Sequence, residues 1–239
     1  MTRRRWIVDE VLGNRAFLTG DHARHLAQVL RAKSGQEFDI ATGGEVRRGK
    51  IVSIAADRVE FALGEVLREV TPADIAVAIS IFKFDRMEWA IEKCTELGVA
   101  RILPVIAART EKHLAQAAPK RVERWRKIAK QAAEQSRQVS SPEVLDPVKL
   151  AELMRDQAGV RIVLSEMETS LGLRDALPPD TSPLTLAFGP EGGWREDELA
   201  DFAQAGWVSA SLGPTILRAE TAVIAAVAVC GSILNGEKR

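Results

Sequence analysis

The segment that most constrains the fold is Leu-Thr-Leu-Ala-Phe-Gly-Pro-Glu-Gly-Gly-Trp over residues 184–194. Its first half is a short apolar run, which is typical of a strand buried on both faces of a parallel sheet. The glycines that follow, Gly189, Gly192 and Gly193, permit close ligand approach that a side chain would block. Ligands of open α/β sheets bind at the carboxyl ends of strands, so the segment predicts a pocket.

A second turn of this kind follows further along the chain. Val-Ser-Ala-Ser-Leu-Gly-Pro over 208–214 again ends an apolar run, and an apolar helix begins soon after. We call residues 189–194 the first glycine turn and residues 212–218 the second, and we expect two adjacent strand ends that form two sides of one pocket. Neither turn matches a P-loop or a dinucleotide-binding Gly-x-Gly-x-x-Gly pattern, which favours a ligand without phosphates. The alternative is that these glycines and prolines only mark ordinary turns.

The chain predicts two domains, residues 1–70 and 75–239, joined by a linker at 71–74. The first is β-rich, with strands near 6–8, 38–40, 51–54 and 59–63 and one short helix that Asp21 would cap. The second alternates strands and helices, which predicts an α/β fold with a mostly parallel sheet. Its expected strands are 75–82, 102–107, 160–165 and 184–188, and its expected helices are 85–97, 120–135, 148–157 and 220–234.

Composition limits the class of protein further. Lys and Arg number 33 and so do Asp and Glu, yet residues 109–137 carry nine basic against three acidic residues, a surplus suited to one phosphate-binding face. No apolar run is long enough for a membrane helix and no signal peptide is recognisable, so we expect a soluble cytoplasmic protein without membrane contact. The two cysteines and three scattered histidines predict neither a disulfide nor a metal site.

The two turns carry a family resemblance. Phe-Gly-Pro-Glu-Gly-Gly over 188–193 and Leu-Gly-Pro-Thr-Ile-Leu-Arg-Ala-Glu-Thr-Ala over 212–222 resemble the SPOUT methyltransferases. More closely, the chain is similar to the RsmE family, the 16S ribosomal RNA (uracil-1498-N3)-methyltransferases, because the likeness continues through 83–98, Arg109, 134–138 and 25–31. Most of the chain is covered, in the order of the family.

The resemblance implies more than the residue pattern can. It implies a PUA-like RNA-binding β-barrel at 1–70 and a SPOUT domain at 75–239 whose C-terminal segment forms a trefoil knot. It also implies a homodimer with the active site near the interface. The cofactor would be S-adenosylmethionine, and the partner 16S rRNA or the assembled small ribosomal subunit. The alternatives are another SPOUT RNA methyltransferase, acting on a ribose 2′-hydroxyl, and a non-catalytic RNA-binding factor for ribosome assembly.

Under this resemblance the pocket residues acquire expected roles. Residues expected to bind the cofactor are Ser165, Glu166, Gly189, Pro190, Gly192, Gly193, Leu212, Gly213, Ile216 and Leu217. For catalysis, Arg218 would stabilise the negative charge on uracil, and Glu220, then Glu191, are the candidate bases for the N3 proton. Two structural alternatives stay open: Glu220 caps its helix, and Arg218 merely pairs with Glu220.

The RNA would be held by basic side chains that bind phosphate. Those residues are Arg3, Arg4, Arg5, Arg31, Lys33, Arg47 and Arg48 in the first domain, and Arg124 and Lys127 on the basic helix of the second. For Arg3 to Arg5 the alternative is a solvated, disordered terminus.

Overall fold

The structure is a computed structural model and describes residues 5–69, 74–155, 158–178 and 181–236. These residues form two compact units. The first contains the residues up to 69 together with Ala133–Ser141, and the second contains 74–132 and 142–236. Nothing in the sequence pattern indicates that 133–141 packs with the N-terminal residues.

The first unit is a curled, half-barrel sheet in which neighbouring strands follow the order β1-β4-β5-β6-β3-β2. Among the described strand pairs of this sheet, β1–β4 is parallel and the others are antiparallel. The elements are β1 (Arg5–Ile7), β2 (Glu10–Leu12), β3 (Arg15–Thr19), α1 (Gly20–Arg24), a π-helical turn (His25–Val29), β4 (Glu37–Ala41), β5 (Glu45–Ile54) and β6 (Arg58–Glu69). Register shifts between β5 and β6 mark bulges that bend this long pair.

The sheet of the first unit packs around a small core. Trp6, Leu18, Leu26, Ile40 and Phe61 are all buried there. The β-rich character predicted for this part of the chain is confirmed, but the helix start is not as expected. Thr19 occupies the N-cap position without a side-chain cap. Asp21 lies inside α1, so the predicted Asp21 cap is wrong.

The second unit is an α/β fold built on a parallel sheet of strand order β10-β8-β7-β12-β11-β13, with β9 beside β8. Its strands are β7 (Ile75–Ser80), β8 (Arg101–Ile106), β9 (Glu143–Val144), β10 (Val148–Lys149), β11 (Val160–Leu164), β12 (Leu184–Phe188) and β13 (Val208–Ala210). Its helices are α2 (Phe84–Glu96), α3 (Lys112–Ala117), a 3₁₀ turn (Ala118–Arg121), α4 (Val122–Gln135), α5 (Leu150–Leu153), α6 (Glu196–Gln204) and α7 (Ala219–Gly236).

Alternate residues of the central strand β7 face two separate cores. Val77 and Ile79 pack on one side with residues of α2, α4 and α7, whereas Ala78 packs on the other with Trp194, Phe202 and neighbouring apolar side chains. Helices on both faces of a mostly parallel sheet are what the alternating pattern predicts, and this fold class is confirmed. No helix in the described part of the chain is long and apolar enough to span a membrane.

Two predicted elements need correction. Residues 148–157 do not form one helix: Val148–Lys149 pairs with β8 as β10, and the helix is limited to Leu150–Leu153. The basic helix begins at Val122 and not at 120, because Pro119 lies in the 3₁₀ turn Ala118–Arg121 that precedes the helix. Strand pairing, a long-range interaction, overrides the helical spacing at 148–149.

Candidate functional site

Four neighbouring parallel strands end at one edge of the sheet of the second unit. In the order β7, β12, β11 and β13 they are paired in parallel, so their carboxyl ends lie side by side. The first glycine turn follows β12 and the second follows β13. They are not adjacent strand ends, as the sequence pattern suggested, because β11 lies between them and Ser165 and Glu166 follow it directly.

A cavity of about 360 Å³ opens at this edge, within the usual range for small-molecule sites. Its lining includes nine of the ten residues expected to bind a cofactor, together with Glu191 and Arg218: Ser165, Glu166, Gly189, Pro190, Glu191, Gly193, Leu212, Gly213, Ile216, Leu217 and Arg218. Gly192 and Glu220 are not among the lining residues. Lining residues that the sequence analysis did not single out are Arg86, Leu164, Phe188, Ser211, Pro214, Thr215, Ala219 and Ala222.

The first glycine turn is packed too closely for side chains at two positions. Gly193 has φ +68°, and a Cβ there would lie 2.1 Å from Oε1 of Glu166. A Cβ on Gly189 would lie 3.3 Å from the carbonyl carbon of Gly193. The Gly193 N–H donates to the Pro190 carbonyl oxygen at 2.8 Å, which closes the turn.

The outer side of this turn is fastened by two side chains. Arg109 donates through Nη1 to the carbonyl oxygens of Gly192 and, at 3.2 Å, Trp194. The Trp194 indole N–H donates to the Leu164 carbonyl oxygen at 3.0 Å, which ties the turn to the end of β11. Gly192 therefore faces Arg109, and a Cβ on it would lie 3.3 Å from Arg109 Cδ. Arg109 is one of the positions that carry the family resemblance, but the sequence alone does not predict which groups it contacts.

The buried carboxylate of Glu198 also fixes this region. Its Oε1 accepts the Ala108 backbone N–H at 2.8 Å and its Oε2 accepts the Arg195 N–H at 2.9 Å, at the start of α6. A carboxylate in the first turn is favoured by the helix dipole. The acidic run after the first turn thus connects α6 to the segment that carries Arg109.

The second glycine turn is more open. Ser211 is held by its N–H bond to the Leu171 carbonyl oxygen at 2.9 Å. Beyond it Gly213 has φ +116° and a Cβ there would meet nothing within 4 Å. The Ile216 side chain is 88% exposed although it lines the cavity. An exposed apolar side chain at a cavity mouth is available to cover an apolar ligand group.

The charged groups at the site are arranged differently from the sequence expectation. Glu220, buried in the first turn of α7, has Oε1 3.8 Å from Nε of Arg86, and Nη1 of Arg86 lies 3.8 Å from Oε1 of Glu191. The structure does not show the predicted alternative in which Arg218 pairs with Glu220, since the cation beside Glu220 is Arg86. Arg218 is exposed on the cavity wall. Arg86 lies within the 83–98 motif, but nothing in the sequence distinguishes it from a solvent-exposed helix residue.

The residues expected to bind RNA fall into two groups. Arg47 donates to the Gly64 carbonyl oxygen at 2.8 Å, Arg48 pairs with Asp39 at 2.8 Å, and Arg124 pairs with Glu88 at 2.6 Å. The second group, Arg31, Lys33 and Lys127, is exposed, as is the paired Arg124. Arg3 and Arg4 lie outside the described residues. Arg5 donates to the Arg137 carbonyl oxygen, and its pKa is lowered mainly by burial.

Comparisons with known proteins cover both units. A model of the RNA methyltransferase domain matches residues 69–231, and a model of the RNA methyltransferase PUA domain matches residues 18–63. The chain is 32% identical to ribosomal RNA small subunit methyltransferase E of Bacillus subtilis, with 92% of each chain covered.

Solved structures give the same result. The crystal structure of ribosomal RNA small subunit methyltransferase E from Neisseria gonorrhoeae bound to S-adenosyl methionine superposes with a TM-score of 0.82 at 28% identity, covering 97% of this chain and 98% of that one. A putative methyltransferase from Legionella pneumophila in complex with the same cofactor gives 0.79 at 29% identity, with 99% and 98% covered. The resemblance stated from the motifs is confirmed by these matches.

Proposed function

Since the chain belongs to the family of ribosomal RNA small subunit methyltransferase E, we propose that it methylates N3 of one uridine in 16S rRNA, the uridine at position 1498. It is an S-adenosylmethionine-dependent rRNA methyltransferase. The observation that carries the proposal is the cavity between the two glycine turns, at the strand ends where open α/β sheets bind ligands. A non-catalytic assembly factor would have no need of such a cavity.

The residues of the cavity fit the proposed cofactor. At Gly193 the turn comes so close to Glu166 that a Cβ would lie 2.1 Å from the carboxylate, so only a glycine leaves this space to a ligand. The Glu166 carboxylate offers acceptors for ribose hydroxyls, with the rest of the first turn beside the methionine portion. Leu212, Ile216 and Leu217 of the second turn supply an apolar slot for adenine. When bound, the cofactor supplies a methyl group that is already activated by the positive sulfur.

The protein then has to align uracil and remove its N3 proton. Alignment of two bound reactants contributes on the order of 7–11 kcal/mol in favourable cases, whereas a positioned base adds roughly 10²–10⁴-fold. We assign the proton to Glu220 or Glu191, which flank the same arginine, and charge stabilisation to the exposed Arg218 on the cavity wall. Alignment by the glycine turns is therefore the larger contribution.

RNA binding is assigned to the first unit and to the basic helix α4. Arg31, Lys33 and Lys127 are exposed cations suited to phosphate. Arg5, Arg47, Arg48 and Arg124 stay in the proposal, with the intramolecular partners described above to be exchanged for phosphates.

We propose a homodimer formed through α2 and α7, which pack against each other. Trp89 on α2 is 46% exposed and Val229 on α7 is 37% exposed, although both helices are otherwise packed in the core. Burial of such side chains in a second copy stabilises an interface. The trefoil knot stays a prediction from the family resemblance, as does the cytoplasmic location that a ribosomal substrate implies.

The experiment is transfer of a labelled methyl group to small subunits prepared from cells that lack this protein, followed by digestion and mass identification of the nucleoside. N3-methyluridine is the expected product. A ribose-methylated nucleoside would be compatible with an RNA methyltransferase of this fold but would refute the uridine-N3 assignment. Absence of transfer to subunits and to free 16S rRNA, with the cofactor bound, would point to another RNA substrate, and absence of cofactor binding would favour the non-catalytic factor.

A further inference from the structure

Arg86 is a cation at the cavity that forms ion pairs but uses none of its hydrogen-bonding capacity within the described residues. Its side chain is 33% exposed and lines the cavity from the first turn of α2. It faces two carboxylates, Glu191 and Glu220, each at 3.8 Å. That separation is an ion pair but too long for a hydrogen bond. Within the described residues, the Arg86 guanidinium donates no hydrogen bond, so its N–H groups are available to a ligand.

Glu220 also has unused hydrogen-bonding capacity, in its case as an acceptor. The Glu220 side chain is only 7% exposed, and its Oε2 is buried without a hydrogen-bond partner among the described residues. A buried polar atom left in this way lowers the stability of the fold. Such atoms in native structures call for an explanation, and a site that is completed only by its substrate is one.

Two carboxylates near one guanidinium favour a positive charge held at the cavity wall. Arginine stays charged at any working pH and presents planar donors. The edge of uracil presents carbonyl oxygens on both sides of N3, and negative charge moves onto them as N3 loses its proton. Preorganised donors aimed at such a developing charge stabilise the transition state more than the ground state.

We propose that Arg86 is a catalytic residue that donates to a uracil carbonyl oxygen, and that Glu191 and Glu220 hold its guanidinium in place. The inference rests on the proposed uridine-N3 chemistry. In the methyl-transfer step, N3 of uracil gives its proton to the carboxylate of Glu220 or Glu191. Its electron pair forms the bond to the methyl carbon, and the pair of the broken carbon–sulfur bond stays on sulfur. Arg86 neither gains nor loses a proton.

The first test compares Arg86→Ala and Arg86→Lys with Arg101→Ala in the full-length protein. Arg101 is a matched control, because its side chain is 35% exposed and pairs with Asp74 at 3.5 Å, at the amino end of β8, away from the cavity. We expect Arg86→Ala to lower kcat by about 10²-fold, in the range for loss of one such donor. Arg86→Lys should recover part of it, and Arg101→Ala should leave it unchanged. The affinity for S-adenosylmethionine, measured by calorimetry, should change by less than about threefold in all three variants.

The second test separates a direct contact from a merely structural role. Small-subunit RNA is ligated from segments so that the target is uridine, 2-thiouridine or 4-thiouridine, since sulfur is a poorer acceptor than oxygen. If Arg86 touches one carbonyl oxygen, one of the two oxygen-to-sulfur rate ratios should fall by roughly tenfold in Arg86→Ala, by analogy with other charged hydrogen bonds. A structural role would slow all three substrates by one factor, and unchanged ratios for both thio substrates would overturn the proposal.

Two further outcomes are distinguishable. A large loss of cofactor affinity in Arg86→Ala, with kcat unchanged, would assign the guanidinium to the carboxylate of the cofactor and overturn the contact with uracil. If the unaltered protein forms another methylated nucleoside, the proposed function fails. If it forms N3-methyluridine and Arg86→Ala is equally active, only the present inference fails.

Discussion

Gly193 is the position at which one added methyl group has two separable costs. Its φ of +68° lies in the left-handed region, where an L-residue costs about 1–2 kcal/mol. A Cβ there would also lie 2.1 Å from Oε1 of Glu166. Because the Glu166 side chain is exposed, it can turn away with little loss of stability. The clash is therefore expressed in the cavity, where the new Cβ and the displaced carboxylate take up ligand space.

We expect Gly193→Ala to lower the free energy of unfolding by about 1–2 kcal/mol. For a chain of this size that is a fall in melting temperature of roughly 2–8 °C. Affinity for S-adenosylmethionine should fall at least about tenfold, which is about 1.4 kcal/mol. Gly193→Val should abolish binding, because a branched side chain at positive φ is a strong outlier and fills more of the cavity.

The matched control is Gly13→Ala in the first unit. Gly13 has φ +58°, and a Cβ there would meet nothing within 4 Å, so this variant carries the backbone cost without the cavity cost. Calorimetry measures cofactor affinity and thermal melts measure stability. We expect similar losses of stability and a loss of affinity only at Gly193. Equal cofactor affinity in the two alanine variants, both folded, would refute the placement of the cofactor against the first glycine turn.

Four other experiments have defined outcomes. Arg109→Ala removes the donor to two carbonyl oxygens of the first glycine turn and should weaken cofactor binding roughly tenfold by calorimetry, as loss of a charged hydrogen bond does; unchanged affinity would contradict this support role. Burial raises the pKa of the Cys94 and Cys230 thiols to about 12, so a thiol reagent at pH 8 should label both in urea and neither in the native protein. Because the unfolded thiols ionise first, from about pH 9, the free energy of unfolding should fall as the pH rises from there toward 12. Trp125→Ala, at a fully buried side chain, should cost about 3–5 kcal/mol in urea unfolding, and a loss below about 1 kcal/mol would show that the core refills the space.

The fold class follows from the sequence because its signals are local. The apolar run before the first glycine turn is fully buried as β12, and the acidic run behind it opens α6. Both depend on residues within a few positions of one another. The pairing of Val148–Lys149 with β8 does not, since it joins residues more than forty positions apart. Helical spacing around residue 150 therefore predicted the wrong element.

The pocket is predictable only in its two glycine turns. That β11 separates β12 from β13 is a matter of sheet order, which the chain order of the turns does not contain. Because of it, Ser165 and Glu166 lie between the turns and Glu166 meets Gly193. The expectation that these two residues complete the pocket came from the family resemblance, and strand periodicity alone does not place them there.

The charges at the site show why close spacing in sequence is a poor guide to pairing. Arg218 and Glu220 are two positions apart, and side chains two apart do not face each other on a helix, whereas those three or four apart do. Glu220 lies in the first turn of α7 and Arg218 precedes it, so Glu220 meets Arg86 of α2 and Arg218 remains on the cavity wall. The cavity therefore has one guanidinium held between carboxylates and one exposed to solvent. A held donor suits a charge that develops at a fixed position, because it needs no reorganisation when the charge forms, so we expect Arg86 to act beside Arg218 and not in its place.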